Sequence, residues 1–353
     1  MKRKLFVLKI VGVAVLVTLA TALGFFAYFN LPGPAPREDV ALGVTFSQRY
    51  ARDLGVDWKK AYIAVLDDLG VRKLRIPIYW DIVERDRGAY DFSDTDWMLD
   101  EAAKRGAEVV LVVGQREPRW PECHIPEWVK SEGNGAYREA RLTDFVGTAV
   151  TRYRDSKALA VWQVENEPFV TFFGECPPLS RDFFDNEIAY VKAIDPSRPI
   201  LITDSGEFST WTAAAARGDI LGTTMYRKVY NPSQGYVTYP IGPNYYRFKA
   251  ELLRLFMGKD RFIVAELQAE PWANGWVADK SVEEQYETMN PELLREYVDY
   301  ARRVGFSEAY LWGAEWWYWL KDVKGESAVW DTAKELFRAG QITGNREQIT
   351  DNR

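Results

Sequence analysis

Two carboxylates stand at the ends of apolar runs, in separate halves of the chain. Leu159-Ala160-Val161-Trp162 leads into Gln163-Val164-Glu165-Asn166-Glu167-Pro168, and Phe262-Ile263-Val264-Ala265 leads into Glu266. An apolar run that stops abruptly at polar residues is the pattern of a buried parallel strand delivering its last side chains to a site. Pro168 ends the first run by removing a backbone donor and fixing φ. Two such carboxylates facing one substrate can cleave a glycosidic bond: one protonates the leaving oxygen while the other acts at the anomeric carbon. On this reading Glu167 is the acid/base, Glu266 is the nucleophile, and Asn166 hydrogen-bonds the hydroxyl beside the anomeric centre. Glu165 is the alternative acid, placed on the strand face of Glu167 by a period of two. Glu270, a little beyond the second run, is the alternative nucleophile. Asp204 and Glu207 follow another apolar run and either bind substrate or cap the next helix.

Other chemistries have little to work with. The single histidine, His124, excludes a multi-histidine zinc site and leaves a histidine-based triad only through itself. It reads as a loop-packing or subsite residue, and neither a metal nor an organic cofactor is expected. A net charge of −6 gives nucleic acid no reason to bind. The chain is rich in aromatics, with 14 Trp, 19 Tyr and 18 Phe. The stretch from Gly114 to Trp128, which contains Trp120, mixes flat rings with Arg and Glu, a combination suited to pyranose faces and hydroxyls. Trp80, Trp211, Trp272, Trp276, Trp316 and Trp317 extend this into an expected aromatic-lined cleft.

The elements that must position these residues alternate between short apolar runs and amphipathic segments. Strands are expected at 41–45, 73–78, 108–113, 159–164, 199–203, 220–225, 262–265 and 308–311, with helical patterns such as 58–69, 137–153, 181–194 and 291–304 between them. Eight strands in this alternation predict an α/β fold, a (β/α)8 TIM barrel over residues 40–340. A doubly wound sheet is disfavoured because Thr45-Phe46-Ser47-Gln48 replaces the glycine-rich phosphate loop, and because polar signals recur after nearly every strand. Cys123 and Cys176 fall after the third and fourth strands, in neighbouring loops at one barrel mouth, and are expected to form a disulfide.

Ahead of the barrel, Met1-Lys2-Arg3-Lys4 is basic, and residues 10–29 form an apolar run long enough to cross a bilayer. A small-residue site at Ala20-Thr21-Ala22 would suit a cleaved signal, which would release the protein. The apolar run continues past that site, so residues 1–30 read as an uncleaved membrane anchor. The basic flank then places the remainder outside the cytoplasm. Residues 31–39 form a proline-rich linker, and 341–353 a polar tail.

Asn166-Glu167-Pro168, following a strand that contains Trp162, resembles clan A of the glycoside hydrolases, the retaining (β/α)8 superfamily of cellulases, β-mannanases and β-galactosidases. The resemblance spans residues 40–339 and is nearest the cellulase-like, family five type. It implies an acid/base ending the fourth strand and a nucleophile ending the seventh, which are the places of Glu167 and Glu266 in the strand count. It also implies that Arg75 on the second strand and Tyr226 after the sixth lie beside the nucleophile, and that Trp312 or Trp316 floors the central subsite. Tyr79-Trp80-Asp81-Ile82-Val83-Glu84, continuing to Gly88-Ala89-Tyr90-Asp91-Phe92, looks like the loop after the second strand in cellulase-like members. The implied substrate is a β-linked oligo- or polysaccharide. The alternatives are a transglycosylase on the same site and an inactive, carbohydrate-binding barrel.

Overall fold

The computed structural model describes residues 2–351. Eight strands close a barrel: β1 (Ala41–Thr45), β2 (Lys73–Pro77), β3 (Glu108–Val113), β4 (Leu159–Val164), β5 (Ile200–Asp204), β6 (Ile220–Met225), β7 (Phe262–Gln268) and β8 (Glu308–Trp312). All neighbours are parallel, and the ring closes where Ala41 of β1 lies opposite Glu308 of β8. The expected (β/α)8 architecture is therefore present. Its strands sit close to their expected positions, except that β7 runs three residues further than its apolar core.

Two-sided burial explains why these strands are nearly continuous apolar runs. In β3, Val109, Leu111 and Val113 pack outward against the helices, while Val110 joins Leu201, Ile220, Ile263 and Tyr310 in a layer inside the barrel. Between strands the chain returns as helices whose ends are marked in the sequence. Asp57 caps the helix Trp58–Asp67 by accepting from the Lys59 and Lys60 amides. Gly258 and Gly305 end Pro243–Met257 and Pro291–Val304 in the left-handed region. At the foot of the barrel, Lys73 bridges Glu108 at 2.7 Å and Glu308 at 3.0 Å, tying together the starts of three strands.

Several short elements were not expected. The loop after β1 holds a helix at Gln48–Asp53, the loop after β6 holds a hairpin of Lys228–Asn231 with Gly235–Thr238, and the chain after β8 turns at once into a helix at Ala314–Trp319. All three begin near the C-terminal ends of strands, where loops carry the site in such barrels. The last helix is Ala328–Asp351, which takes in most of the segment read as a polar tail. At the other end, Lys2–Phe29 is one helix, and its stretch Phe6–Phe29 is long and apolar enough to cross a membrane, with none of it buried.

Candidate active site

The site is built from strand ends. After Val164 the backbone of β4 turns sharply, with Glu165 at φ 58° and Glu167 at φ 46°. These left-handed residues break the strand's alternation. Glu165 does not share a face with Glu167. Its carboxylate turns toward β3 and accepts from the Gln115 and Arg116 amides at 2.9 and 2.6 Å. Gly114 is needed there, since a Cβ on it would lie 2.5 Å from the Glu165 carboxyl carbon. Glu165 is thus a brace beneath the loop after β3, not a second acid. Glu167, its amide held by the Thr203 hydroxyl at 2.8 Å, faces the mouth. Its carboxyl makes no hydrogen bond or ion pair within the protein among the described residues. Burial, then the negative charges of Glu266 and Glu122, push its pKa well above the usual carboxyl range.

β7 reaches the same mouth by another route. Thr223 and Thr224 of β6 pair with Val264 and Glu266, so Ala265 is an extra residue in β7. Ile263 points into the barrel. Strict alternation would turn Ala265 inward and Glu266 out toward the helices. The bulge lets both face inward: the Ala265 methyl group lies against Gly222, and Glu266 enters the site. There Arg75 donates to one carboxylate oxygen at 3.0 Å and the Tyr226 hydroxyl donates to the other at 2.8 Å. Arg75 is itself fully buried, and it also donates to the Gln163 amide oxygen at 2.7 Å and to the Asn166 amide oxygen at 2.6 Å. Asn166 therefore links Arg75, which holds Glu266, to Glu122, to which its amide nitrogen donates at 3.2 Å.

Glu122 is a third carboxyl in the site, and individually it was not foreseen. It sits in the loop after β3 at φ 73°, beside the Cys123–Cys176 disulfide, whose Cα atoms are 5.2 Å apart. The expected disulfide thus braces the wall that carries it. Burial and the charge of Glu266 push the Glu122 pKa up to about 8. The one signal for it in the sequence was its place in a Glu- and Trp-rich loop.

Arg119, from the same loop, is pressed between the rings of Tyr50 and Trp312, 3.8 and 4.2 Å from their centroids. It pairs with Glu270 and, at 3.0 Å, with Glu315. The Trp312 indole donates to Glu270 at 2.8 Å. Glu270, the alternative nucleophile, is therefore engaged in fixing Trp312 and Arg119. Glu207 is likewise committed, accepting from the Tyr226 amide and the Tyr246 hydroxyl at 2.8 and 2.9 Å. Asp204 accepts from Ser209 and from the Ser205 amide, a turn-stabilising role. His124 is buried, and burial lowers its pKa to about 4, so it is a neutral packing residue against Tyr79.

One cavity of about 750 Å³ opens at this mouth, and Glu167, Glu266, Glu122, Tyr226, Trp312 and Trp120 all line it. Trp120 is 61 % exposed at the rim. Trp80 and Trp316 do not line the cavity. Trp80 is fully buried, stacked on Phe145 with its indole donating to Glu84, and Trp316 is fully buried with its indole donating to Gln285. Both follow strand ends in sequence but point down into the core, because each lies in a short helix that turns its ring away from the mouth. The rim aromatics that do line the cavity include Phe172, Phe208, Trp272 and Trp276.

A family model described as glycosyl hydrolase family 10 matches residues 77–175. The β-galactosidase BgaA of Clostridium cellulovorans is 23% identical over 178 residues, 45% of this chain and 27% of that protein. The mannan endo-1,4-β-mannosidase F of Aspergillus fumigatus is 25% identical over 131 residues, 34% of this chain and 28% of that protein. The chain thus spans little more than a quarter of either relative's length. Among solved structures, GH5_18 from Bifidobacterium longum subsp. longum superposes with a TM-score of 0.60 at 15% identity, covering 84% of this chain and 78% of that one. The β-galactosidase of the haloarchaeon Halorubrum lacusprofundi gives 0.57 at 15% identity, covering 85% and 58%. With its closed eight-stranded parallel barrel, the chain has the (β/α)8 fold of these glycoside hydrolase structures.

Proposed function

We propose that the protein is a retaining β-glycoside hydrolase that works by double displacement, with Glu167 as acid/base and Glu266 as nucleophile. The observation that carries this reading is the contrast between two carboxyls facing one cavity. Glu266 is held in place by a buried guanidinium, whose positive charge faces its carboxylate, and by a phenol, and the two donors fix its orientation. Glu167 is desolvated beside that anion, which favours its neutral acid. Glu266 attacks the anomeric carbon as Glu167 protonates the departing oxygen. Once Glu266 is esterified its negative charge is gone, the Glu167 pKa falls, and the Glu167 carboxylate can take a proton from the incoming water. Asn166 offers its amide N–H to the neighbouring sugar hydroxyl, and Trp312 offers a floor. The relatives support a β-linked substrate: a β-galactosidase, an endo-1,4-β-mannosidase, and a GH5_18 variant in complex with Manβ1-4GlcNAc.

The test is removal of Glu266 with replacement of its charge. Glu266→Ala should abolish turnover of an aryl β-glycoside, and azide should restore it in part, yielding the α-glycosyl azide. A Glu266→Ala protein that keeps most of its activity would overturn the assignment.

We also infer that the N-terminal helix anchors the protein in the cytoplasmic membrane, with the barrel on the outer side. The basic flank, the unburied apolar span and the disulfide support this. A protein released from membranes by alkaline carbonate, or a barrel sheltered from protease added outside spheroplasts, would contradict it.

A further inference from the structure

The helix Pro243–Met257 carries more apolar surface than the barrel can cover. Tyr246, Ala250 and Leu253 face the core. On the outer side a second apolar stripe runs through Tyr245, Phe248, Leu252, Leu255 and Phe256, spaced three and four apart. Its first half is occupied. Phe29 of the N-terminal helix lies against Tyr245 and Phe248 at 5.4 and 5.5 Å, and Phe25 lies against Phe248 at 5.7 Å. Asn244 donates to the Tyr28 carbonyl at 3.1 Å, and a Cβ on Gly242 would fall 2.2 Å from the Phe29 carbonyl oxygen. The two helices are therefore joined directly at this point, without an intervening tether.

The second half of the stripe is bare. Leu255 and Phe256 are each 75% exposed, and Leu252 and Met257 beside them are also exposed. Outside the N-terminal helix and linker, the other exposed large apolar side chains among the described residues either line the cavity or stand singly, as Tyr190 and Val323 do. From Phe29 to Phe25 the anchor helix passes from the Tyr245 level toward Phe248, so Leu252 and Phe256 lie further along in the direction that the apolar span takes from its contact.

We propose that Leu252, Leu255, Phe256 and Met257 form a second membrane contact, seated at the headgroup–acyl boundary of the bilayer that the N-terminal helix crosses. This rests on the anchor reading above, and continuity with the anchor's own contact singles out lipid as the occupant. The stripe is flanked by polar residues, Arg254 paired with Glu251 at 2.7 Å and Lys259 donating to the Gly218 carbonyl, as the edge of an interfacial contact would be. A helix that follows a barrel strand returns from the mouth to the foot. Contact at its C-terminal end therefore sets the foot of the barrel on the membrane and turns the cavity away from it.

Single-cysteine labelling of the full chain tests this, because both native cysteines are joined in the disulfide. Phe256→Cys, Leu16→Cys and Phe208→Cys would each carry an environment-sensitive dye in phosphatidylcholine–phosphatidylglycerol liposomes, with or without doxyl-labelled lipid. The dyes at 16 and 256 should lose about half their emission or more to the doxyl lipid, as membrane-buried positions do, and the dye at 208 should lose little. Quenching at 16 with position 256 as unaffected as 208 would overturn the second contact while keeping the anchor. No quenching at 16 would overturn the anchor and this proposal together. Emission at 256 that is blue-shifted, indifferent to doxyl lipid and rising with protein density would mean that a second copy covers the stripe, and would also overturn it.

Discussion

β4 and β7 each deliver a carboxylate to the same cavity, and they do so by opposite means. β4 stops, and two left-handed residues swing Glu167 into the mouth with nothing holding its carboxyl. β7 continues, and an inserted residue turns Glu266 inward onto two donors. A group that must gain and lose a proton gains from an apolar, uncommitted setting. A group that must stay aimed gains from fixed donors. The backbone device and the electrostatic setting agree at each strand end.

The comparison can be broken most severely at Glu266. Glu266→Gln should lower kcat by roughly 10⁴-fold or more for every leaving group, because no amide can replace the attacking carboxylate. Glu167→Gln should depend on the leaving group. Steady-state rates should fall by roughly 10²–10⁴-fold with a sugar or an alkyl aglycone and far less for glycosylation by a dinitrophenyl glycoside, which needs no proton. An equal loss across leaving groups would deny Glu167 the role of acid. Tyr226→Phe sharpens the other side. Losing one donor to a charged, buried acceptor costs about 1.5–3 kcal/mol, or roughly ten- to a hundredfold in kcat/KM.

The smallest effect concerns stability. Burial holds the pKa of Glu122 near 8 and those of Glu165 and Glu315 near 7, all above the ordinary 4.5. Each folded value is raised, so the stability these groups contribute is complete below pH 4.5 or so and is lost as pH rises through 7 to 8. Melting temperature should fall from pH 5 to pH 9. Glu122→Gln should flatten that slope between pH 5 and pH 8. An unchanged slope would mean that Glu122 does not titrate there.

The barrel was legible because eight strands buried on both faces leave apolar runs of matching length, and because Asp57 and the post-helical glycines punctuate them. The pair Glu167 and Glu266 was legible as polar residues ending such runs. What aims them was not. Nothing in Val264-Ala265-Glu266 announces a bulge, since the extra residue is defined by its partner on β6. Glu165 carries the same charge as Glu167 two positions away, and only the backbone turn between them separates a brace from a site residue. Trp80 and Trp316 look in sequence like Trp312 and Trp272. Their burial is decided by short helices that form only once the loops are packed together.

Arg75 has a further consequence, for the order in which the molecule can be completed. It is a fully buried cation whose carboxylate partner lies 191 residues later in the chain. A polypeptide emerging from its N-terminus has made β2 long before β7 exists, and until Glu266 arrives the guanidinium is better off in water than inside a barrel. The charge that orients the site thus also discourages the first half of the barrel from closing on itself. The ring shuts late, around a salt bridge that only the nearly finished chain can form.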